Sequence, residues 1–375
     1  MDKSKRGSAK HASKVTSTVH MKPYFCPLPQ EIAGVRPINL AIQGGGAHGA
    51  FAWGVIDRLL EDKRLHIEGI SGTSAGSMNA VVLASGLLAG GQEAAREKLH
   101  DFWWKISQAG LLFNPCKQTP FERFVFGRKM DDSVSYKIFE AITRWFSPYQ
   151  LNPFNINPLR DVLLSCVDFE YLQTCQVTKL FLSATNVHTG QVKIFSTEEV
   201  TPDAVMASAC LPTVFKSIEI NGEYYWDGGY TGNPALFPFF YNCASNDILI
   251  IHTNPIERPA PPIMPSEIFN RVNEISFNSG LLKEFRAIAF IHKLLDENML
   301  KDEYRADFKY ILLHSISSDD ALSDLSAGTK TSSDWDFLLM LRNRGRAQAK
   351  DWLDHNFDKV GVSSTVNLKG KLVGL

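Results

Sequence analysis

Two short apolar stretches near the start of the chain are each followed by glycine and then by a helical pattern. Residues 37–43 form a short, mainly apolar run that stops at three consecutive glycines, after which residues 47–61 place apolar side chains at helical spacing. Residues 67–71 predict a second strand, which turns through a glycine-bounded pentapeptide into an apolar helix at residues 77–84. Two strands joined by a helix favour a right-handed parallel crossover, so the pattern predicts an α/β sheet buried on both faces.

The later part of the chain also contains predicted strands and helices. Asn221-Gly222 lies between two short strand patterns and is the strongest short hairpin signal in the sequence. Helices are predicted from Pro202, within residues 266–300 and at residues 334–357. Further strands are predicted at residues 179–186, 191–196, 217–220, 223–226, 247–253 and 310–316.

Residues 101–160 break this pattern. They are rich in Trp and Phe and are interrupted by five prolines, which is typical of an insertion that covers the core as a cap. Two interpretations stay open for the aromatic side chains. They either pack as core, or they line an acyl-chain groove and touch an interface.

Composition and charge narrow the function classes. The chain has 375 residues, 44% of them hydrophobic, and a formal net charge of -1, which is typical of a globular protein and argues against nucleic acid as a partner. The six cysteines are widely spaced, which predicts reduced thiols. No apolar run is long enough for a transmembrane segment. Residues 1–35 are basic without an apolar run and predict a disordered leader, with weak attraction to anionic lipid as the alternative to no role.

The pentapeptide Gly72-Thr73-Ser74-Ala75-Gly76 fits the pattern G-x-S-x-G. Its glycines let a strand turn sharply into a helix, so that the Ser74 side chain is presented at a helix N-terminus, where backbone amides favour a nucleophilic alkoxide. A glycine-rich turn needed only for close packing would look the same. Ser74 is therefore a candidate nucleophile that requires support from other residues.

Two further motifs supply that support. Gly44-Gly45-Gly46 offers unhindered amides at a helix N-terminus, as an oxyanion hole requires, whereas the run fits neither a dinucleotide fingerprint nor a Walker loop. Asp227-Gly228-Gly229 follows the predicted hairpin and offers a carboxylate as a general base.

The order of these motifs resembles the patatin-like phospholipase family. The block Ala207-Ser208-Ala209-Cys210-Leu211-Pro212 is also similar to that family, so the resemblance runs from about residue 37 to about residue 253. It implies a three-layer α/β fold with a mixed, mostly parallel sheet. It further implies a Ser74–Asp227 dyad, oxyanion donors at Gly44, Gly45 and Gly46, and no metal or cofactor. The family most often has Arg or Lys where His48 stands, which leaves open a polar or a pH-sensitive role for His48.

The resulting expectation is a bacterial serine acyl hydrolase that cleaves ester bonds of phospholipids or related lipids. Its predicted parts are the leader, a catalytic core at residues 36–255 with the cap inserted, and a helical C-terminal extension at residues 256–375 that packs on the core. The predicted location is cytoplasmic with peripheral membrane contact, and delivery into another cell stays open.

Alternatives to that function also stay open. The substrate could be a storage polyester of hydroxy acids. Alternatively, a non-catalytic lipid-binding protein could keep the glycine-flanked turn at Ser74 for packing. A Ser-Asp-His triad is the alternative mechanism, with His252 or His314 as the third member.

Overall fold

The two strand, glycine and helix units predicted at the start of the chain are present and form the centre of the fold. Strand β1 is Arg36–Ile42, helix α1 is Gly49–Asp62 and strand β2 is Leu65–Thr73. The two strands pair in parallel with α1 as the crossover. The structure is a computed structural model that describes residues 34–368 except 117, 120, 123, 125–129, 177 and 259, so most of the predicted leader lies outside the described residues.

Eight strands of the described chain form one mixed sheet, in the order β5-β6-β3-β2-β1-β7-β8, with β4 paired to β3. The pairs among β3, β2, β1, β7 and β8 are parallel, whereas β4, β5 and β6 pair antiparallel. This is the mixed, mostly parallel sheet that the family resemblance implied. The later strands are β3 Lys179–Asn186, β4 Val192–Ser196, β5 Ile218–Ile220, β6 Glu223–Asp227, β7 Asp247–Ile251 and β8 Leu312–Ile316.

Helices cover both faces of the sheet and complete three layers. Alternate residues of the central strands point to opposite faces: Leu249 packs in the larger core with α1, whereas Ile250 packs in a smaller core with Phe285. Further helices are α2 Ala75–Phe113, α3 Val134–Trp145, α4 Pro148–Leu151, α5 Pro158–Leu164, α6 Phe169–Gln173, α7 Pro202–Ser208, α8 Phe237–Asn242, α9 Pro265–Asp296, α10 Asp302–Arg305 and α11 Trp335–Asn356.

Helix α2 is much longer than the pattern at residues 77–84 predicts. It runs on to Phe113 and bends at Gly90 and Gly91, where the backbone leaves helical geometry. Phe102 and Trp103 are buried in the larger core. The first part of segment 101–160 therefore belongs to the core rather than to a cap. The sequence pattern does not predict this because Gly90 and Gly91 interrupt the helical periodicity.

The C-terminal part of the chain shares the sheet and the cores. Strand β8 pairs with β7 at one edge, and α11 packs on α1. The buried carboxylate of Asp57 on α1 accepts hydrogen bonds from Arg342 and Arg346 of α11. Across the described ranges, no helix is both long enough and apolar enough to cross a membrane.

Candidate active site

The register of strand β3 brings the serine motif and the aspartate motif together. Thr73, the last residue of β2, pairs with Ser183, and Asp227, the last residue of β6, pairs with the next residue, Ala184. Strand β4 occupies the other edge of β3. Strand β6 therefore continues along the same edge of β3 where the pairing with β2 ends. This junction brings together Ser74, which follows β2, and Asp227, which ends β6.

Ser74 occupies a sharp turn between β2 and α2. Its backbone has φ 55° and ψ -124°, in the left-handed region that side chains rarely adopt, which costs on the order of 1–3 kcal/mol. The Ser74 amide donates to Ser208 Oγ at 3.0 Å, which helps to hold the turn. Gly72 and Gly76 flank it at close quarters, since a Cβ on Gly76 would lie 2.2 Å from the Ile42 carbonyl oxygen. Ser74 itself is only partly buried at the N-terminus of α2.

The Asp227 carboxylate is buried beside this serine. Its Oδ1 accepts a hydrogen bond from the Gly229 amide at 2.7 Å. Burial raises the pKa of Asp227 to about 7, against smaller lowering contributions from Gly229 and from the Ser74 hydroxyl. The other carboxylate oxygen, Oδ2, has no hydrogen-bond partner among the described residues. A carboxylate with a pKa near neutrality is suited to exchange protons with a serine hydroxyl.

The three glycines that follow β1, Gly44, Gly45 and Gly46, form what we call the glycine loop, and they have different roles. The Gly44 amide donates to Asn233 Oδ1 at 2.8 Å, so it is already engaged. This differs from the expectation that Gly44 is an oxyanion donor. Among the described residues, the amides of Gly45 and Gly46 have no recorded acceptor, so they remain as the candidate donors.

His48 carries no charge at neutral pH. Burial, assisted by the nearby Lys330 ammonium, lowers the pKa of His48 to about 3. Its Nε2 lies 2.8 Å from the Thr329 hydroxyl. The structure therefore favours the polar role that the sequence left open over the pH-sensitive one.

The two histidines considered for a triad have no hydrogen bond with the Asp227 side chain among the described residues. His314 is fully buried, with Nε2 at 2.9 Å from Asp247 Oδ1. His252 is also buried, and burial lowers its pKa to about 4. The contacts recorded for the Asp227 side chain within the described chain are those to Gly229 and Ser74.

Several residues that sequence reasoning missed hold the glycine loop in place. Thr253 Oγ1 and Asn254 Nδ2 both donate to the Gly44 carbonyl oxygen, and Asn233 accepts from its amide. Thr253 and Asn254 follow strand β7, and polar residues at the carboxyl ends of parallel strands are a usable signal for a site. Lys330 donates to Asn254 Oδ1 at 2.7 Å, and it lies in a segment without any recognisable pattern.

No three His, Cys, Asp or Glu side chains come together as a metal site would need, within the part of the chain that the structure describes.

Comparison with known proteins places the chain in a family. The model of the patatin-like phospholipases matches residues 40–240, more than half of the chain. The chain therefore belongs to the patatin-like phospholipase family, whose domain indicates a lipid acyl hydrolase. The matched residues include the glycine loop, the sharp turn at Ser74 and Asp227.

Solved structures give weaker similarities. VipD from Legionella pneumophila is 15% identical, with 91% of this chain and 73% of that chain covered and a TM-score of 0.38. A complex of SpcU with ExoU from the type III secretion system of Pseudomonas aeruginosa gives 15% identity, coverage of 84% and 54%, and a TM-score of 0.27. No curated protein matches the sequence.

Proposed function

We propose that this chain is a serine acyl hydrolase that cleaves ester bonds of phospholipids or related lipids through a dyad of Ser74 and Asp227. The observation that carries the proposal is the junction on β3, where a strained serine at a helix N-terminus meets a buried carboxylate with a pKa of about 7. The engagement of His314 by Asp247 supports a dyad rather than a triad.

The reaction follows from the positions of these groups. Asp227 takes the proton of the Ser74 hydroxyl while Oγ attacks the ester carbonyl carbon, and the Gly45 and Gly46 amides stabilise the oxyanion. The protonated Asp227 then returns its proton to the leaving alcohol, which leaves an acyl-serine. In the second half, Asp227 takes a proton from water, whose oxygen attacks the acyl carbonyl. The acid leaves, and the proton returns to Ser74.

Contact with a lipid surface forms part of the proposal. Helix α3 has no buried residues and exposes an apolar stripe at helical spacing, and the first turns of α9 expose a second apolar set. The Arg144 guanidinium lies 5.6 Å from the centre of the Phe269 ring and joins the two helices. We call this surface the cap face, formed by Val134, Ile138, Ile142, Trp145, Phe146, Ile268, Phe269, Val272 and Ile275.

The cap face continues towards the active site along α9. Phe277 follows Ile275 by two residues, and a Cβ on Gly229 would lie 3.0 Å from the Phe277 ring. An exposed apolar face with aromatic side chains next to a lipid-hydrolysing site is suited to rest at a bilayer interface. This supports peripheral membrane contact for the cap face.

Hydrolysis of an ester panel tests the proposed function. The panel contains phospholipid vesicles, lysophospholipids, p-nitrophenyl esters and oligomers of hydroxyalkanoates, with Ser74→Ala as the blank. We expect release of acid from the lipids by the wild type alone, with no loss of rate in excess EDTA. If only the polyester oligomers are cleaved, the substrate is a polyester and the proposed lipid substrate is wrong. If Ser74→Ala cleaves esters at the same rate as the wild type, the serine mechanism is wrong.

A further inference from the structure

A segment outside the family match packs directly on the glycine loop. The 3-10 turn Ala327–Thr331 carries Thr329, whose hydroxyl contacts His48. The Lys330 carbonyl oxygen lies 2.5 Å from the position that a Cβ on Gly46 would occupy, and Gly46 has φ 57°. Only glycine fits there without strain or displacement of the turn. The loop is therefore shaped by the C-terminal part of the chain as well as by the matched domain.

Lys330 reaches the same loop through its side chain. Its Nζ donates to Asn254 Oδ1 at 2.7 Å, and Asn254 Nδ2 donates to the Gly44 carbonyl oxygen at 2.5 Å. Thr253 Oγ1 donates to that oxygen at 2.8 Å. The Gly44 carbonyl and the Gly45 amide belong to one peptide group. Hydrogen bonds to the carbonyl therefore polarise the group and strengthen the Gly45 N–H as a donor.

We propose that Lys330 is a positioning residue of the oxyanion hole, which acts through Asn254 on the Gly44-Gly45 peptide. The inference rests on the proposed function, in which the Gly45 amide binds the oxyanion formed when Ser74 attacks an ester. Lys330 does not touch the substrate in this account. It supplies from the C-terminal segment a positive charge beside the loop, where the neutral His48 supplies none.

The surroundings of Lys330 set the pH range in which it is charged. Burial lowers the pKa of Lys330 to about 8, with opposing influences from Glu274, which raises it, and Arg258, which lowers it further. Glu274 is itself paired with Arg258 at 2.6 Å and with Arg271 at 3.1 Å. His48 and Asp319 line the same small cavity. The ammonium is fully charged well below pH 8 and loses its proton as the pH rises through about 8.

Steady-state kinetics on a soluble p-nitrophenyl ester test this inference. We expect Lys330→Met to lower kcat about 10-fold or more with KM within about twofold, since the amide loses strength mainly towards the developing charge. Lys330→Arg should recover most of kcat. The wild-type rate should fall above pH 8, and Lys330→Arg should shift that fall upwards because Arg keeps its charge.

The matched control is Lys309→Met. Lys309 is also partly buried, and its Nζ donates to the Cys243 carbonyl. It precedes β8, at the amino ends of the parallel strands, whereas the glycine loop and Asn254 follow β1 and β7 at their carboxyl ends. This variant should keep the wild-type kcat and pH profile. Ser74→Ala serves as the blank.

A folded Lys330→Met enzyme with wild-type kcat and an unchanged alkaline fall would overturn the inference. A lower melting temperature with unchanged kcat would also overturn it, because that result indicates only a structural role. If Lys330→Met does not fold, the test is the pH profile of Lys330→Arg. A rate that falls at the same alkaline pH as in the wild type rejects the inference. Hydrolysis by Ser74→Ala at the wild-type rate would instead reject the proposed function itself.

Discussion

The Cβ atom of Ser74 lies 2.6 Å from the position that a Cβ on Gly44 would occupy. We therefore expect Gly44→Ala to displace either the glycine loop or Ser74 and to lower kcat on a soluble ester by at least about 100-fold. Gly86→Ala is the control, because its Cβ would lie 2.3 Å from the Ala95 Cα, away from the motifs of the site. Both variants should lose melting temperature, but only Gly44→Ala should lose kcat per folded enzyme. Equal kcat values would contradict the close contact.

Asp227→Asn tests the buried carboxylate through both activity and stability. Activity should fall by about 100-fold or more, since the general base is removed. The wild-type kcat/KM should rise with pH through about 7 as Asp227 loses its proton.

Stability should change in the opposite direction. Folding raises the pKa of Asp227 from 3.8 to about 7, so the folded state binds the proton more tightly, and this contribution is lost as the pH rises through 7. Asp227→Asn should therefore unfold at a higher temperature than wild type at pH 8. The advantage should be on the order of a few kcal/mol at most and should shrink towards pH 4. If the difference in unfolding temperature between Asp227→Asn and wild type stays constant from pH 4 to pH 8, folding does not raise the pKa of Asp227, and the prediction is wrong.

His252→Gln and His314→Gln distinguish the dyad from a triad. Neither side chain has a recorded contact with Asp227 in the described chain, so both variants should keep most of the wild-type kcat on a soluble ester. His314→Gln should lose stability because it weakens the buried contact with Asp247. A folded histidine variant as inactive as Asp227→Asn would establish a triad.

Much of this arrangement could be predicted from the sequence, because each part depends on a local pattern. The turn at Ser74 needs glycine neighbours, and Asp227 follows a hairpin marked by Asn221-Gly222. The order of these motifs was enough to indicate the family.

Other parts depend on contacts between distant segments. The engagement of the Gly44 amide by Asn233, and the packing of Lys330 on Gly46, connect residues that no local periodicity links. Helix α2 was predicted too short because Gly90 and Gly91 resemble a helix end, while Phe102 and Trp103 beyond them pack in the core.

The cap face predicts a difference between soluble and vesicle substrates. Trp145 is 85% exposed, and Ile138 lies on the same stripe of α3. Trp145→Ser with Ile138→Ser should lower hydrolysis of phospholipid vesicles by at least about 10-fold and leave a soluble ester unaffected, because full burial of such side chains contributes about 1.5–3 kcal/mol each and even partial burial of the two exceeds the ~1.4 kcal/mol of a tenfold change. Tyr304→Ser on α10 removes another exposed ring and should change neither rate. Equal vesicle rates for all variants, or a change of oligomeric state in the double variant, would reject the lipid contact.

The central claim is that Ser74 is an activated nucleophile. Labelling with a fluorophosphonate, followed by mass spectrometry of the peptides, tests it most directly because the reagent reacts with activated serines. The account predicts one adduct, on Ser74, which is absent in Ser74→Ala and forms about 100-fold more slowly in Asp227→Asn. A folded wild-type protein that stays unlabelled, or an adduct on another serine, would contradict it.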